Sequence, residues 1–304
     1  MNTSGNKTAS GAGQAFGGTG DRIMSRVVFC VAVTGIVVLI FILGFLIANG
    51  LPVLESTSLG EMFFSKDWYP TEEPPALGMV ALIAGTLAAT LLSSVMAIPV
   101  SIALAIFSAE IAPRRVRQCF KVLFEMLGFL PSIVLGFIGM MIIAPWMQVG
   151  LGIPSGLNLL NSSILLGFLI IPSVASLSDE ALAAVPGELR DASYALGATR
   201  LETIFKVVFP SALPGIIAAT LLGVMRALGE TMVVLMAAGG AAILPAMFTD
   251  PIRPLTSTIA AEMGETPVGS THYHALFFAG LILLIMTLAI NLASLYVEKR
   301  GEKR

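Results

Sequence analysis

The stretch SDEALAAVPGELRDASYALGATRLETIFKVVFPSALPG, residues 178 to 215, joins two apolar runs and is punctuated as helices. Ser178 can cap a first turn that Pro186 limits. Glu188 to Leu196 then suits a short helix closed by Gly197, the residue best able to take the left-handed conformation past a helix end. Thr199 and Glu202 stand at capping-box spacing before a second helix that runs to Pro210. The expected form is a helix, a glycine corner and a second helix. Leu189, Ala192 and Leu196 fall at i, i+3 and i+7 of the first helix, an apolar stripe beside Arg190 and Asp191. A knob of this kind fits a groove on a cytoplasmic partner. A helix lying on the membrane surface wants the same periodicity, so both readings stand.

Outward from this loop the chain is apolar. Of its 304 residues 56% are hydrophobic and 12% charged, far from the balance of a soluble domain. Apolar runs near 27–48, 76–108, 122–145, 160–177, 212–239 and 273–296 are each long enough to cross a bilayer. The expected fold class is therefore all-α, a polytopic membrane protein with six transmembrane helices. The second run suits one tilted helix kinked at Pro99, and Pro131 and Pro172 are further kink sites. A cytoplasmic N-terminus places fourteen of the seventeen Lys and Arg inside, Arg226 within a span, and only Lys66 and Arg253 outside. Both termini are then cytoplasmic. Trp68 and Tyr69 in the first outer loop suit the membrane interface.

Residues 1–25, rich in Gly, Ser and Thr, read as a disordered cytoplasmic tail, 26–48 as a retained anchor helix, 76–296 as a five-span core and 297–304 as a basic cytoplasmic tail. Cys30 and Cys119 are far apart and read as buried free thiols rather than a disulfide or metal pair. No acidic or basic tract points to nucleic acid. There is no G-x-x-x-x-G-K-[ST] run, so ATP is not expected to bind this chain, and no cofactor or catalytic residue is expected. His272 and His274 offer too few nitrogens for a metal site. A polytopic enzyme has only these two and Glu262 and Glu265 to work with, at no recognisable spacing. A secondary transporter calls for repeated halves, which the sequence lacks.

Two charges need a reason. ATLLGVMRALGETMVVLMAAGG, residues 219 to 240, is of spanning length yet holds Arg226 and Glu230 in its middle, where a charge costs about 2.5–3.5 kcal/mol. They lie one turn apart in the weaker Arg-then-Glu order, so a pair with each other and pairs across to other helices are both open. Intramembrane charges point to function, and a structural ion pair that fixes helix packing is the alternative. Glu125, near the cytoplasmic end of the third span, has Lys121 one turn before it; a surface pair and a functional role are both open.

Asp191-Ala192-Ser193, three residues, Gly197, nine residues, Val207, one residue and Phe209-Pro210 resemble the EAA loop of ABC importer permeases, with EAA, G and I-x-L-P at the same spacing. The departures are conservative. The resemblance implies a type I ABC importer permease core with a cytoplasmic coupling loop over 178–210, in which Asp191, Ala192, Ser193 and Gly197 belong to the helix that docks on an ATP-binding subunit. ALGATRLETIFKVVFPSALPGI, RALGETMVVLMAAG and FLPSIVLGFIGM are similar to phosphate importer permeases, and LTSTIAAEMGE with HYHALFFAGLILLIMTLAINL looks more like their PstC type than the PstA type. The resemblance implies a PstA-like sibling permease, two ATP-binding subunits and an extracytoplasmic phosphate-binding protein as partners, in a bacterial inner membrane, with inorganic phosphate as the substrate. Another tetrahedral oxyanion such as molybdate is the alternative substrate. On that reading Arg226 offers a transient anion contact and Glu230 neutralises it while the path is empty.

Overall fold

A computed structural model describes residues 19–301; residues 1–18 and 302–304, with most of the expected N-terminal tail, lie outside the described residues. The chain divides into two units, one up to Ala48 and one from Asn49 onward. The described part of the first is all but the last two residues of the long helix α1, Thr19–Gly50, which begins ahead of the expected residue 26. Its apolar side chains, Cys30 among them, face outward along its length.

The second unit opens with a small cap. A 3-10 turn Leu51–Glu55 leads to α2, Leu59–Phe64, capped by Ser58, whose hydroxyl accepts from Glu61 N. Strands β1, Trp68–Tyr69, and β2, Ala76–Leu77, pair antiparallel with Trp68 opposite Leu77. This hairpin and a single parallel bridge between Gly239 and Ile252 are the extended pairings in an otherwise helical chain among the described residues.

The body is then helical: α3 Val80–Ile106, α4 Arg114–Gly128, α5 Ser132–Ile138, α6 Ala144–Leu151, α7 Leu159–Ala183, α8 Gly187–Ala195, α9 Arg200–Thr203, α10 Phe209–Leu228, α11 Met232–Ala237, α12 Leu255–Glu262 and α13 Thr271–Gly301. Wide π turns at Phe107–Ile111, Gly139–Ile143 and Ile204–Val208 extend α3, join α5 to α6 and join α9 to α10. Among the described residues six helical stretches are long and apolar enough to cross a membrane: 23–55, 80–111, 132–151, 159–183, 200–228 and 271–297.

The core forms around α3 and α7, with α10 against α7 and α13. The α3 face that meets α7 is small and hydroxylic. Thr86, Thr90, Ser94 and Ser101 are buried and each donates to the carbonyl four residues back, at 2.6–2.8 Å. Hydroxyls satisfied within their own helix cost little among apolar neighbours and let two backbones approach. Gly223 of α10 serves the same closeness, because a β-carbon there would run into Val174 and Ile170 of α7. Asn158 caps α7 by accepting from Asn161 N at 2.9 Å, and Asn161 Nδ2 donates to Gly139 O and Gly156 O. That knot ties the start of α7 to the third span.

Several boundaries differ from the sequence expectation. The third span, expected over 122–145, is two helices broken at Phe129–Pro131; Pro131 starts α5 instead of kinking a continuous helix. The first of them, α4, is amphipathic and carries Arg114, Arg115, Arg117 and Lys121, so only 132–151 crosses by length and composition. Ser178 caps nothing, since α7 runs on unbroken to Ala183. The second loop helix does not end at Pro210: α9 runs through the π turn 204–208 into α10, whose first turn tolerates the proline. Cys119 is exposed on α4, not buried. Burial habits learned from soluble proteins fail for outward faces that meet lipid or another chain. Trp68 is buried instead of interfacial, while Tyr69 is exposed.

Candidate functional site

The loop between α7 and α10 keeps the helix, corner and helix read from its punctuation. Gly197 has φ +82°, a left-handed conformation that a β-carbon would strain. The capping box is complete: Thr199 Oγ1 accepts from Glu202 N, and the Glu202 carboxylate accepts from Thr199 N at 3.0 Å. Thr199→Ala removes the cap at a cost of about 1 kcal/mol, so amide exchange over residues 199–204 is expected to rise about fivefold, measured by hydrogen–deuterium exchange on the purified protein.

Helix α8 is polar on its inner side and carries exposed apolar side chains beside Glu188 and Asp191 on its outer side. Ser193 is buried and shares a 2.9 Å hydrogen bond with Thr203. Arg190 donates to Val185 O at 2.5 Å, Leu182 O at 2.9 Å and Glu110 Oε1 at 2.7 Å. A cation there satisfies carbonyls at the end of α7 and interacts well with its negative dipole end. Arg200 donates to Glu110 O, so the end of α3 is bound to both loop helices. Asp191, Ala192 and Leu189 face outward, and Leu196 is 90% exposed. With Tyr194, Leu201 and Phe205 also exposed, the outer surface of the loop is an apolar patch, the reverse of a helix made to face water.

Arg226 and Glu230 do not pair. The helix that was expected to carry both ends at Leu228, and Glu230 falls in the break before α11, so the two are no longer one turn apart on a common face. Glu230 folds its carboxylate over the start of α11, accepting from Thr231 N and Met232 N at 3.1 Å and from Val233 N at 3.5 Å. Its backbone oxygen accepts from Thr256 at 2.8 Å. Arg226 is exposed and reaches across to two other helices, donating to Ser173 Oγ of α7 at 3.1 Å and Gly128 O of α4 at 3.2 Å.

Two helix breaks are thereby brought together. Gly128 is the last residue of α4 before the break at 129–131, and α11, after the break at 229–231, packs on α5. Gly136 of α5 sits against Met232 and Met236. Discontinuous helices at membrane depth are tolerated where they line a cavity or are covered by protein. Glu125 lies on α4 one turn before Gly128, exposed, with no side-chain partner among the described residues. Its expected neighbour Lys121 turns to Asp179 instead, at 3.7 Å.

Two further charged centres appear: one built on Asp179, which the sequence reading misses, and one joining Glu262 and His272, which it names without pairing. Asp179, 2% exposed at its side chain, joins Arg117 at 3.2 Å as well as Lys121. Its signal was its register: Ala175, Asp179 and Leu182 share the buried face of α7, and Arg117 and Lys121 share a face of α4 at i and i+4. On the other side of the chain Glu262 binds Arg253 at 2.5 Å, His272 at 2.8 Å and Trp68 Nε1 at 3.1 Å, at the base of a cleft of about 620 Å³ that Tyr69 and Glu265 also line. His272 is thus a partner of a carboxylate, and His274 bonds Asn49 O. No group of three metal-ligating side chains occurs among the described residues. Glu262→Ala leaves Arg253 partly buried without its carboxylate. It is expected to lower stability by about 3 kcal/mol and to change Trp68 emission, read by thermal unfolding followed by tryptophan fluorescence.

A helical body with stretches long and apolar enough to span a membrane carries a loop helix with exposed apolar side chains and an arginine between two helix breaks. The chain belongs to the family described as binding-protein-dependent transport system inner membrane component, whose profile matches residues 101–303. It is 39% identical over 240 residues to the probable ABC transporter permease protein YqgH of Bacillus subtilis (strain 168), covering 79% of this chain and 78% of that one. It is 33% identical over 257 residues to the phosphate transport system permease protein PstC of Pasteurella multocida, covering 78% and 79%. To the probable PstC of Methanocaldococcus jannaschii it is 31% identical over 282 residues, covering 87% and 89%. Among solved structures, the inward-facing MetNI methionine ABC transporter aligns at TM-score 0.58 and 22% identity over 76% of this chain and 99% of that one. A bacterial ABC transporter for alginate import aligns at 0.59 and 14% identity over 92% and 99%. The fold is that of type I ABC importer permeases.

Proposed function

We propose that this chain is the PstC-type permease subunit of an ATP-driven phosphate importer in a bacterial inner membrane, with both termini cytoplasmic. The observation that carries the reading is Arg226: a guanidinium held between two helix breaks on an exposed face, with no carboxylate partner among the described residues. An arginine neutralised by a carboxylate has little left for an anion. This one rests on a hydroxyl and a carbonyl, and its planar fork suits a tetrahedral oxyanion. The relatives named as phosphate permeases support phosphate as that anion.

The partners follow from the surfaces. The outer face of Leu189, Ala192 and Leu196 meets a groove on an ATP-binding subunit, the helix-in-groove mode, with Asp191, Ser193 and Gly197 shaping the helix and its corner. A PstA-like sibling closes the path around Arg226, and a second ATP-binding subunit lies beneath the sibling. A phosphate-binding protein docks on the extracytoplasmic side. Glu230 holds the start of α11 beside the path, where it takes a gating role, and Glu125 lies beside the path, one turn from the Gly128 carbonyl. ATP at one end and loaded receptor at the other bias a single two-state bundle, which is coupling in the thermodynamic sense.

The test is ATP turnover by the assembled complex in lipid nanodiscs. Binding protein loaded with phosphate is expected to stimulate hydrolysis, and neither empty binding protein nor molybdate in place of phosphate should do so. Stimulation by molybdate alone overturns the phosphate assignment.

A further inference from the structure

Asp179 is a nearly fully buried carboxylate that neither anion contact nor docking uses. Its Oδ2 faces Arg117 Nη2 at 3.2 Å and Lys121 Nζ at 3.7 Å, cations one turn apart on α4. Its Oδ1 and Arg117 Nε are buried with no hydrogen-bond partner among the described residues. Arg117 and Lys121 keep 30% and 48% of their side chains exposed, so pulling them away returns the cations to solvent but leaves the Asp179 carboxylate uncompensated out of water. Sliding α4 along α7 is therefore strongly opposed, whereas moving the two together disturbs nothing at the bridge.

Both helices lead to groups with a role above. Helix α7 ends at Ala183, and Arg190 of α8 is hydrogen-bonded to its terminal segment at Leu182 O and Val185 O. Helix α4 ends at Gly128, whose carbonyl accepts from Arg226. A continuous set of contacts thus runs from the loop helix through the base of α7 and the bridge to the arginine. We propose that Asp179 is the positioning residue that clamps α4 to α7, so that displacement of α8 reaches Arg226 as a rigid shift of both helices. The inference rests on the permease reading: α7 already reaches Arg226 through Ser173, and Asp179 is the residue that makes α4, with its Gly128 carbonyl, move in step with it.

The experiment reconstitutes the full complex in proteoliposomes with phosphate-loaded binding protein and measures phosphate moved per ATP hydrolysed. Asp179→Asn keeps the shape and removes the charge. It is expected to lower that ratio about tenfold, within the range of intersite coupling, while ATP hydrolysis continues. Arg117→Gln is expected to do the same, and Asp179→Asn with Arg117→Gln to be no worse than either alone. Should Asp179→Asn fail to assemble, the triple variant Asp179→Asn, Arg117→Gln, Lys121→Gln strands no charge and is read in the same way. An assembled variant with the parental ratio overturns the clamp, as does failure of every variant to assemble, which leaves Asp179 purely structural. A parent complex that moves no phosphate counts against the permease assignment instead; stimulation of ATP turnover by the loaded binding protein, compared between parent and Asp179→Asn, then still reports on the clamp.

Discussion

Arg226→Gln is expected to reduce phosphate uptake by at least about 100-fold in an assembled complex that still hydrolyses ATP. The guanidinium makes two modest bonds, to Ser173 and Gly128 O, and is exposed, so glutamine in its place strands no buried carboxylate. The loss falls instead on the anion. Two charge-assisted donors at about 1.5–3 kcal/mol each amount to two decades or more at 1.4 kcal/mol per tenfold. Arg226→Lys should not restore uptake, because an ammonium offers a point charge where the path presents a fork. Glu230→Gln provides the contrast. Its side-chain oxygen still accepts at the start of α11, so it is expected to keep most of the uptake, although the same sequence had suggested an ion pair. Equal loss in both variants points back to a pair, and unchanged uptake in Arg226→Gln removes the arginine from the path. The readout is initial-rate uptake of radiolabelled phosphate normalised to assembled complex.

Leu196→Glu is expected to weaken association with the ATP-binding subunit by about 30-fold or more. Leu196 is 90% exposed and closes the apolar stripe of α8, so the substitution has almost nothing to disturb within the chain itself. At an interface a buried apolar anchor costs about 2–4 kcal/mol when lost, and a carboxylate desolvated against an apolar groove costs more. Co-purification of the ATP-binding subunit with this chain measures the effect. Retained co-purification at the parental ratio means that the stripe faces lipid, the alternative that the same periodicity allows.

How much of this was legible in the sequence differs between the two ends of the α7–α10 region. The loop was readable because its signals are local: Gly197 adopts the positive φ, and Thr199 and Glu202 close the capping box at the expected spacing. The break at 229–231 was not. The apolar run continues through it, and periodicity cannot register that Glu230 spends its carboxylate on the amides of Thr231 and Met232 instead of on Arg226. The partners of Arg226 lie 53 and 98 residues away, on helices whose register only packing sets. Asp179 was hidden by a boundary error, because counting it into the loop removed it from the buried face of α7. Trp68 carried an interfacial signal, but its indole found Glu262 nearly two hundred residues on. The apolar residues of α4 made the third span seem to start at 122, ten residues before the stretch that can cross, whereas α4 is an amphipathic helix whose cations hold Asp179.

The most direct test of the central claim is phosphate uptake by proteoliposomes containing this chain, its sibling permease and the ATP-binding subunits, with binding protein and phosphate outside and ATP enclosed. The expected result is phosphate accumulation that requires ATP, the loaded binding protein and Arg226 together. A fully assembled, ATP-hydrolysing complex that accumulates no phosphate contradicts it.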